Sequence, residues 1–211
     1  MRINILLYDK MTALDAIGPY EVLSRMPGAE VLFVAERAGP VRTETGFLSL
    51  VADAALDDAP TAEIVLVPGG YAPPLTPGPL HEWVRAADAT STWTTSVCVG
   101  SLILGAAGLL EGRRATSHWL ALDHLRNYGA EPVANRVVYD GKYATAAGVS
   151  SGIDLALSLV GRVLAPEAAM AIQLGIEYDP EPPFDAGSPS KAPDPIVTFL
   201  RDNRDMIVQL S

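Results

Sequence analysis

The chain has little of what marks secreted, nucleic-acid-binding or membrane-bound proteins. It contains one cysteine in 211 residues, so an intrachain disulfide is excluded, which is typical of a cytoplasmic protein. Basic residues are scarce, because 15 Lys and Arg stand against 25 Asp and Glu and the net charge is −10. That charge disfavours a phosphate backbone or an anionic lipid surface, so we expect neither nucleic acid nor a membrane as partner.

Long apolar runs are also missing. The N-terminal run at 3–8 is too short for the apolar region of a signal peptide and indicates a first strand. The uncharged stretch 89–110 could span a bilayer by length, but threonine and serine are frequent in its first half. We therefore predict a buried strand that runs into a buried helix.

Alternating strand and helix patterns predict an α/β fold. Strands are expected at 3–8, 30–35, 63–67 and 92–97, and helices at 18–25, 79–87 and 99–110. This alternation is typical of a flavodoxin-like, mostly parallel sheet with helices on both faces. Further along, Asp140-Gly141 between apolar runs predicts a type I′ hairpin over 136–145. A capping box of Ser151 and Asp154 would begin the next helix, and another is expected at 166–176.

The C-terminal region differs in composition. Six prolines between 179 and 195 prevent regular helix and predict an extended arm. The apolar Phe184 in this arm, and a final helix at 194–209, suggest packing on the same domain or on a second subunit. We thus divide the chain into an α/β domain at 1–178 and an arm with a C-terminal helix at 179–211.

Common cofactor and catalytic motifs are absent or incomplete. The sequence has no G-x-G-x-x-G or G-x-x-x-x-G-K, and its three histidines lack ligand spacing, so no cofactor or metal is expected. Residues 148–152 match G-x-S-x-G, but no histidine follows His124, whereas a hydrolase of that type needs one after the serine. The glycines there indicate a tight turn into a packed helix.

Cys98 is the first candidate for chemistry. In Val97-Cys98-Val99-Gly100-Ser101 it stands where a strand ends and a helix begins. At a helix N-terminus the unpaired N–H groups and the dipole favour the thiolate, so we expect a reactive thiol at neutral pH. The alternative is a buried cysteine that acts as a small hydrophobe.

Two other strand ends carry candidates. Gly69-Gly70-Tyr71 follows a strand, and its backbone N–H groups could approach and stabilise a developing negative charge, or simply form a turn. Asp15 lies between apolar residues, where a partly desolvated carboxyl could deliver a proton, or be a turn former. His118 could orient the thiol or be a structural histidine.

These features, in this order, resemble the ThiJ/PfpI superfamily. The resemblance covers about 3–195 through LDAIGPYEVL, VPGGY, TSVCVGSLILGAAGLLEGRRATSHW, RVVYDGKYATAAGVSSGIDLAL and IEYDPEPPFDAGSP. It implies a flavodoxin-like, class I glutamine amidotransferase-like fold with a cysteine at a nucleophile elbow. Within the superfamily the likeness is greatest to the isonitrile hydratases, because most other members lack the proline-rich arm.

The resemblance also implies roles for particular residues. Cys98 falls on the nucleophile and Asp15 on the acid, while the Gly70 and Val99 amides fall beside the nucleophile. Isonitrile hydratases typically have threonine after the cysteine, whereas this chain has Val99, whose side chain cannot donate a hydrogen bond. A histidine at that position, as in PfpI-type proteases, is also absent.

The implied activity is lyase chemistry: hydration of a small neutral isonitrile to an N-substituted formamide, without a cofactor. The implied assembly is a homodimer. Three alternatives stay open at this stage: a redox-sensing cysteine protein without turnover, a glyoxalase- or deglycase-like enzyme acting on α-oxoaldehydes, and the ligand-binding half of a transcription regulator.

Overall fold

A seven-stranded, mostly parallel sheet forms the centre of the fold. The computed structural model describes residues 1–210. The strands are β1 (Arg2–Leu6), β2 (Glu30–Ala35), β3 (Gly39–Arg42), β4 (Ser49–Ala52), β5 (Ala54–Ala55), β6 (Ile64–Val67), β7 (Trp93–Val97), β8 (Arg114–Ala115), β9 (Glu131–Pro132), β10 (Val137–Asp140) and β11 (Tyr143–Ala146). The central sheet has the order β10-β11-β7-β6-β1-β2-β5, and only β10 runs antiparallel. Two small sheets, β3-β4 and β8-β9, lie outside it.

Helices cover both faces of this sheet. They are α1 (Ala13–Leu23), α2 (Pro79–Thr90), α3 (Gly100–Ala106), α4 (Ser151–Val163), α5 (Pro166–Gly175) and α6 (Asp194–Asp202). The chain moves one way from β1 to β2 and the other way from β6 to β7, so right-handed crossovers put α1 and α2 on opposite faces. Accordingly, α1 packs on α4, and α2 packs on α3. No helix within residues 1–210 is long and apolar enough to cross a bilayer.

The predicted α/β pattern is confirmed, and the burial of the inner strands explains why the sequence indicated them. All four residues of β6, and four of the five in β1, are buried, as expected for inner parallel strands covered on both faces. The stretch 89–110 is the predicted strand and helix, β7 followed by α3.

Helix α1 differs from the helix predicted at 18–25. It begins at Ala13 instead, and Pro19 lies inside it rather than at its first position. A Cβ at Gly18 would lie 3.1 Å from Ile153 Cγ1, so α1 packs very closely on α4. This packing offsets the backbone hydrogen bond that Pro19 removes, a tertiary effect that local signals do not report.

Two other helices are shorter than predicted. The helix expected at 99–110 ends at Ala106, and Gly108 then adopts a left-handed φ of 79°. The helix expected at 194–209 ends at Asp202, where Asn203 Nδ2 donates to the Phe199 carbonyl at 2.8 Å. Such a bond from side chain to backbone competes with helix continuation.

The hairpin and the capping box also differ in detail. Asp140 pairs with Tyr143, so the turn residues are Gly141 and Lys142, one position later than predicted. Asp140 is kept in its strand because its carboxylate accepts the Arg114 N–H at 2.9 Å. The predicted capping box does not form, since the Ser151 hydroxyl donates to the Gly148 carbonyl at 2.8 Å.

The proline-rich arm has no strand or helix between α5 and α6. Phe184 is 78% exposed, so this side chain does not pack on its own domain, which was the first of the two alternatives stated for it. After α6 the chain returns to the core, where Val208 is buried and the Gln209 N–H donates to the Tyr71 carbonyl at 2.6 Å. Ser211, the end of the predicted 179–211 segment, lies outside the described residues.

Candidate active site

The candidate residues meet at the carboxyl ends of three adjacent strands. Asp15 follows β1, Gly69 follows β6 and Cys98 follows β7. The chain adds strands in opposite directions from β1 and β6, which makes this the switch point where open α/β sheets bind ligands. Fold topology therefore brings together residues that are far apart in sequence.

Cys98 occupies a sharp turn between β7 and α3. Its φ is 57°, a left-handed value that is rare for a residue other than glycine. The Cys98 N–H donates to the Ala147 carbonyl at 2.8 Å, and the Cys98 carbonyl accepts the hydroxyls of Ser101 at 3.2 Å and Ser117 at 3.1 Å. These bonds hold the backbone in a strained conformation, a pattern that occurs preferentially at functional sites.

Gly69 fits between the two candidate groups because it has no side chain. A Cβ there would lie 2.7 Å from Val99 N, 2.8 Å from Cys98 Cβ and 2.9 Å from Asp15 Oδ2. The thiol-bearing residue and the carboxylate therefore lie on either side of one glycine.

Asp15 is fully buried in the first turn of α1. Its Oδ2 accepts the Gly69 N–H at 2.8 Å, and Oδ1 is buried with no N–H or O–H donor among residues 1–210. Burial raises the pKa of the Asp15 carboxyl well above its ordinary value, while the Gly69 N–H, which donates to it, and the neighbouring Cys98 thiol partly offset the rise. The carboxyl therefore holds a proton more readily than an exposed aspartate does.

The thiol of Cys98 is not the thiolate that the helix N-terminus predicted. Only 6% of the residue is exposed, and burial raises the pKa of the thiol well above its ordinary value, with the negative charge of Asp15 acting in the same direction. The N–H groups of Val99 and Val149 donate to the sulfur and lower the pKa, but desolvation is larger. Burial therefore favours the protonated form of both the Cys98 thiol and the Asp15 carboxyl.

The other predicted residues are placed unevenly around this pair. Val99 presents its N–H to the sulfur. The Gly69 N–H is taken by Asp15 and the Tyr71 N–H donates to the Lys10 carbonyl at 3.0 Å, so neither is free for a reacting group. A Cβ at Gly70 would lie 2.5 Å from the Lys10 carbonyl oxygen, which makes this glycine a close-packing position.

Three neighbours of the pair were not anticipated from sequence. Val149 donates its N–H to the sulfur, Ser117 fixes the Cys98 carbonyl, and the buried Tyr8 hydroxyl donates to the Pro68 carbonyl at 3.1 Å. Burial, then the charges of Asp15 and Cys98, raise the pKa of Tyr8. The glycine turn at 148–152 was the one sequence signal that pointed toward Val149.

A cavity of about 760 Å³ is lined by neighbours of the pair, but not by Cys98 or Asp15 themselves. Val149 and His118 line it together with Leu14 and Trp119, and the arm contributes residues 187–190. That volume is typical of a small-molecule site. His118 does not contact the thiol by a hydrogen bond: its Nδ1 accepts the Leu120 N–H at 3.3 Å. Within residues 1–210 no three His, Cys, Asp or Glu side chains cluster closely enough to hold a metal ion.

Comparison with known proteins agrees with this architecture. The chain is 42% identical over 207 residues to an isonitrile hydratase from Pseudomonas putida, spanning 95% of this chain and 89% of that protein. It is 31% identical over 149 residues to a deglycase from Pyrococcus abyssi, spanning 69% of this chain and 89% of the deglycase. The crystal structure of a ThiJ/PfpI family protein from Pseudomonas syringae superposes with a TM-score of 0.92 at 38% identity, covering 96% of this chain and 85% of that one. The sequence profile of the DJ-1/PfpI family matches residues 1–162, and the chain therefore belongs to the DJ-1/PfpI family.

Proposed function

We propose that the protein hydrates isonitriles to N-substituted formamides, with Cys98 as nucleophile and Asp15 as acid and base. The observation that carries the proposal is the buried pair of Cys98 and Asp15 on either side of Gly69. The similarity to an isonitrile hydratase over nearly the whole chain supports the choice of substrate class. Neither a metal nor an organic cofactor enters the reaction.

The first half of the reaction is addition of the thiol across the terminal carbon of R–N≡C. Asp15 takes the thiol proton as the sulfur attacks, and then gives that proton to the same carbon. The product is a thioimidate, R–N=CH–S–Cys98, in which one C–S and one C–H bond have formed and one S–H bond has broken. The raised pKa of the Asp15 carboxyl suits this transfer, because the carboxylate is then a stronger base toward the thiol than an exposed aspartate and still returns the proton.

The second half is hydrolysis of this adduct. Asp15 takes a proton from water, the hydroxyl adds to the carbon, and the nitrogen is protonated to give R–NH–CH(OH)–S–Cys98. Loss of the hydroxyl proton and departure of the sulfur, which regains its proton, leave R–NH–CHO. The net change is addition of one water to the isonitrile. The Val99 and Val149 N–H groups support the sulfur when it carries negative charge at either end of the cycle.

The proposal extends to the organisation of the protein. We place catalysis in residues 1–178, treat the following segment as an extension that contributes to the substrate cavity through residues 187–190, and expect a homodimer. Size-exclusion chromatography with light scattering measures the assembly directly, and a monomeric mass at all accessible concentrations would contradict it.

Incubation with cyclohexyl isocyanide tests the activity. We expect N-cyclohexylformamide by gas chromatography–mass spectrometry, and a Cys98 adduct heavier by one isonitrile on rapid acid quench. Cys98→Ser should give neither. If the folded protein, with its single thiol shown to be free, turns over no member of a panel of alkyl and aryl isonitriles, the proposal is wrong.

A second candidate is addition of the thiol to α-oxoaldehydes, which needs the same two groups. The similarity to the deglycase from Pyrococcus abyssi favours this reaction. Loss of methylglyoxal with formation of lactate, in a protein inactive on isonitriles, would select this reaction. Redox sensing is less well supported, because the Cys98 thiol is buried and its raised pKa slows oxidation.

A further inference from the structure

The cavity beside Cys98 contains a histidine whose protonation is fixed by its surroundings. His118 Nδ1 accepts the Leu120 N–H at 3.3 Å, so this nitrogen carries a lone pair and not a proton. Burial lowers the pKa of the imidazole to about 4, so the ring is neutral in the physiological range. The single proton of the neutral ring therefore resides on Nε2.

Within residues 1–210 the only hydrogen bond of the His118 side chain is the one at Nδ1, and its ring lies against Gly148, next to Val149. A Cβ at Gly148 would lie 2.9 Å from His118 Cδ2 and 3.5 Å from Nε2. The next residue, Val149, donates its N–H to the Cys98 sulfur. One short stretch of backbone thus adjoins both the nucleophile and the free donor.

The lining of the cavity is mixed. Leu14, Trp119 and Leu122 are apolar, whereas Asn135 and Arg136 are polar, and the arm contributes residues 187–190, in which the Ser188 and Ser190 hydroxyls hydrogen-bond to each other at 3.0 Å. An isonitrile is nearly linear, so a carbon bound at the sulfur directs the R group away from the nucleophile, and the cavity that Val149 and His118 line is a neighbouring space that could receive it.

We propose that His118 Nε2–H binds a hydrogen-bond acceptor on the R group, so that the preferred substrates are isonitriles with an ester, amide or ether oxygen beside an apolar segment. This assignment rests on the proposed function and deepens it. Such an oxygen gives this N–H an acceptor, which a purely hydrocarbon R group does not. His118 is then a specificity residue that takes no part in the proton transfers at Cys98.

A matched pair of substrates tests the proposal. Methyl isocyanoacetate carries the acceptor, and pentyl isocyanide has similar length without it. We expect His118→Phe, which keeps a planar ring but no donor, to lower kcat/KM for methyl isocyanoacetate about 3- to 10-fold relative to pentyl isocyanide, as loss of one neutral hydrogen bond predicts. His118→Gln, which restores an N–H donor, should recover part of the preference. Dividing the kcat/KM ratio of the two substrates in the variant by the same ratio in the parent removes the intrinsic reactivity difference between the two compounds.

Binding to an inactive protein gives a second measurement. In a Cys98→Ser background, the formamide product methyl N-formylglycinate should bind more tightly than N-pentylformamide, and His118→Gln should reduce the difference less than His118→Phe. If His118→Phe does not fold, as shown by its melting curve, His118→Asn replaces it, because the shorter amide does not reach the Nε2 position. If a folded variant has the same kcat/KM ratio for the two substrates as the parent, the assignment is overturned while isonitrile hydration stays intact. Absence of turnover on every isonitrile would instead overturn the proposed function.

Discussion

Replacing Gly69 by alanine places one methyl group between the two proposed catalytic residues. The new Cβ would lie 2.7–2.9 Å from Val99 N, Cys98 Cβ and Asp15 Oδ2, whereas ordinary van der Waals contact begins at 3.4 Å. Each of these contacts must therefore lengthen by about 0.5–0.7 Å through movement of the neighbours or of the loop. None of the three is the end of a flexible side chain, since they are a backbone nitrogen, a Cβ and a buried carboxylate.

The expected loss follows from that displacement. A misplacement of about 1 Å in a catalytic geometry costs on the order of 100-fold in rate, so we expect kcat for isonitrile hydration to fall about 10- to 100-fold. Overpacking of a buried position costs about 1–3 kcal/mol, which lowers the Tm of a domain of this size by about 2–4 °C for each kcal/mol. The two effects are separable, because activity is measured well below the melting temperature of the variant.

The matched control is Gly175→Ala, at an exposed position where a Cβ meets no atom within 4 Å. Its rate of formamide production should stay within about twofold of the parent, and its Tm should be unchanged or slightly higher because alanine favours helix. Both variants are assayed for formamide by mass spectrometry and for unfolding by circular dichroism. A Gly69→Ala protein with parental rate and parental Tm would refute the placement of Cys98 and Asp15 around this glycine.

Three further substitutions probe the pair itself. Cys98→Ser should abolish formamide production and the covalent adduct seen by intact mass, while the far-ultraviolet circular dichroism spectrum stays that of the parent. Asp15→Asn should lower kcat by about 10²- to 10⁴-fold, whereas Asp123→Asn, at a surface carboxylate with 90% of its side chain exposed, should not. Because the folded-state pKa of Asp15 is raised, the parent loses stability as pH rises above the ordinary carboxyl pKa. Asp15→Asn should therefore have a higher Tm than the parent at pH 7, and this difference in Tm should shrink toward pH 4. A constant difference in Tm from pH 4 to 8 would contradict this sign. Val99→Thr should raise turnover, since it supplies a hydroxyl beside the nucleophile, and an unchanged or lower kcat in a stable protein would argue that the threonine typical of isonitrile hydratases is not needed here.

Local sequence signals predicted the sheet better than they predicted the helices. The inner strands were visible as continuous apolar runs, because a strand buried on both faces needs apolar residues at every position. Helix α1 was missed at its start because Gly18 and Pro19 together have the form of a cap and a first turn. The close contact between Gly18 and Ile153 is what makes an interior proline tolerable, and the two residues are far apart in sequence.

The structure brings Cys98, Asp15 and Gly69 together as expected, but the pKa shifts at these residues differ from the expectation. Cys98, Asp15 and Gly69 could each be singled out because they follow strands, and parallel strands end at a common edge. The direction of the thiol pKa was predicted wrongly, because proximity to a helix N-terminus is a local property while desolvation depends on everything packed around the sulfur. Val149 was missed for the same reason, since only the tertiary fold brings its N–H to the sulfur.

The sequence by itself determined the α/β alternation, the inner strands and the strand-end positions of the reactive residue types, because these follow from periodicity and from turn chemistry along the chain. Only the tertiary structure decided that Asp15 and Cys98 lie on either side of Gly69, that His118 lines the cavity near them, and that the arm supplies part of its wall. The physical reason is that burial and close approach arise between distant segments, and these set both the pKa of a group and the partners it lacks.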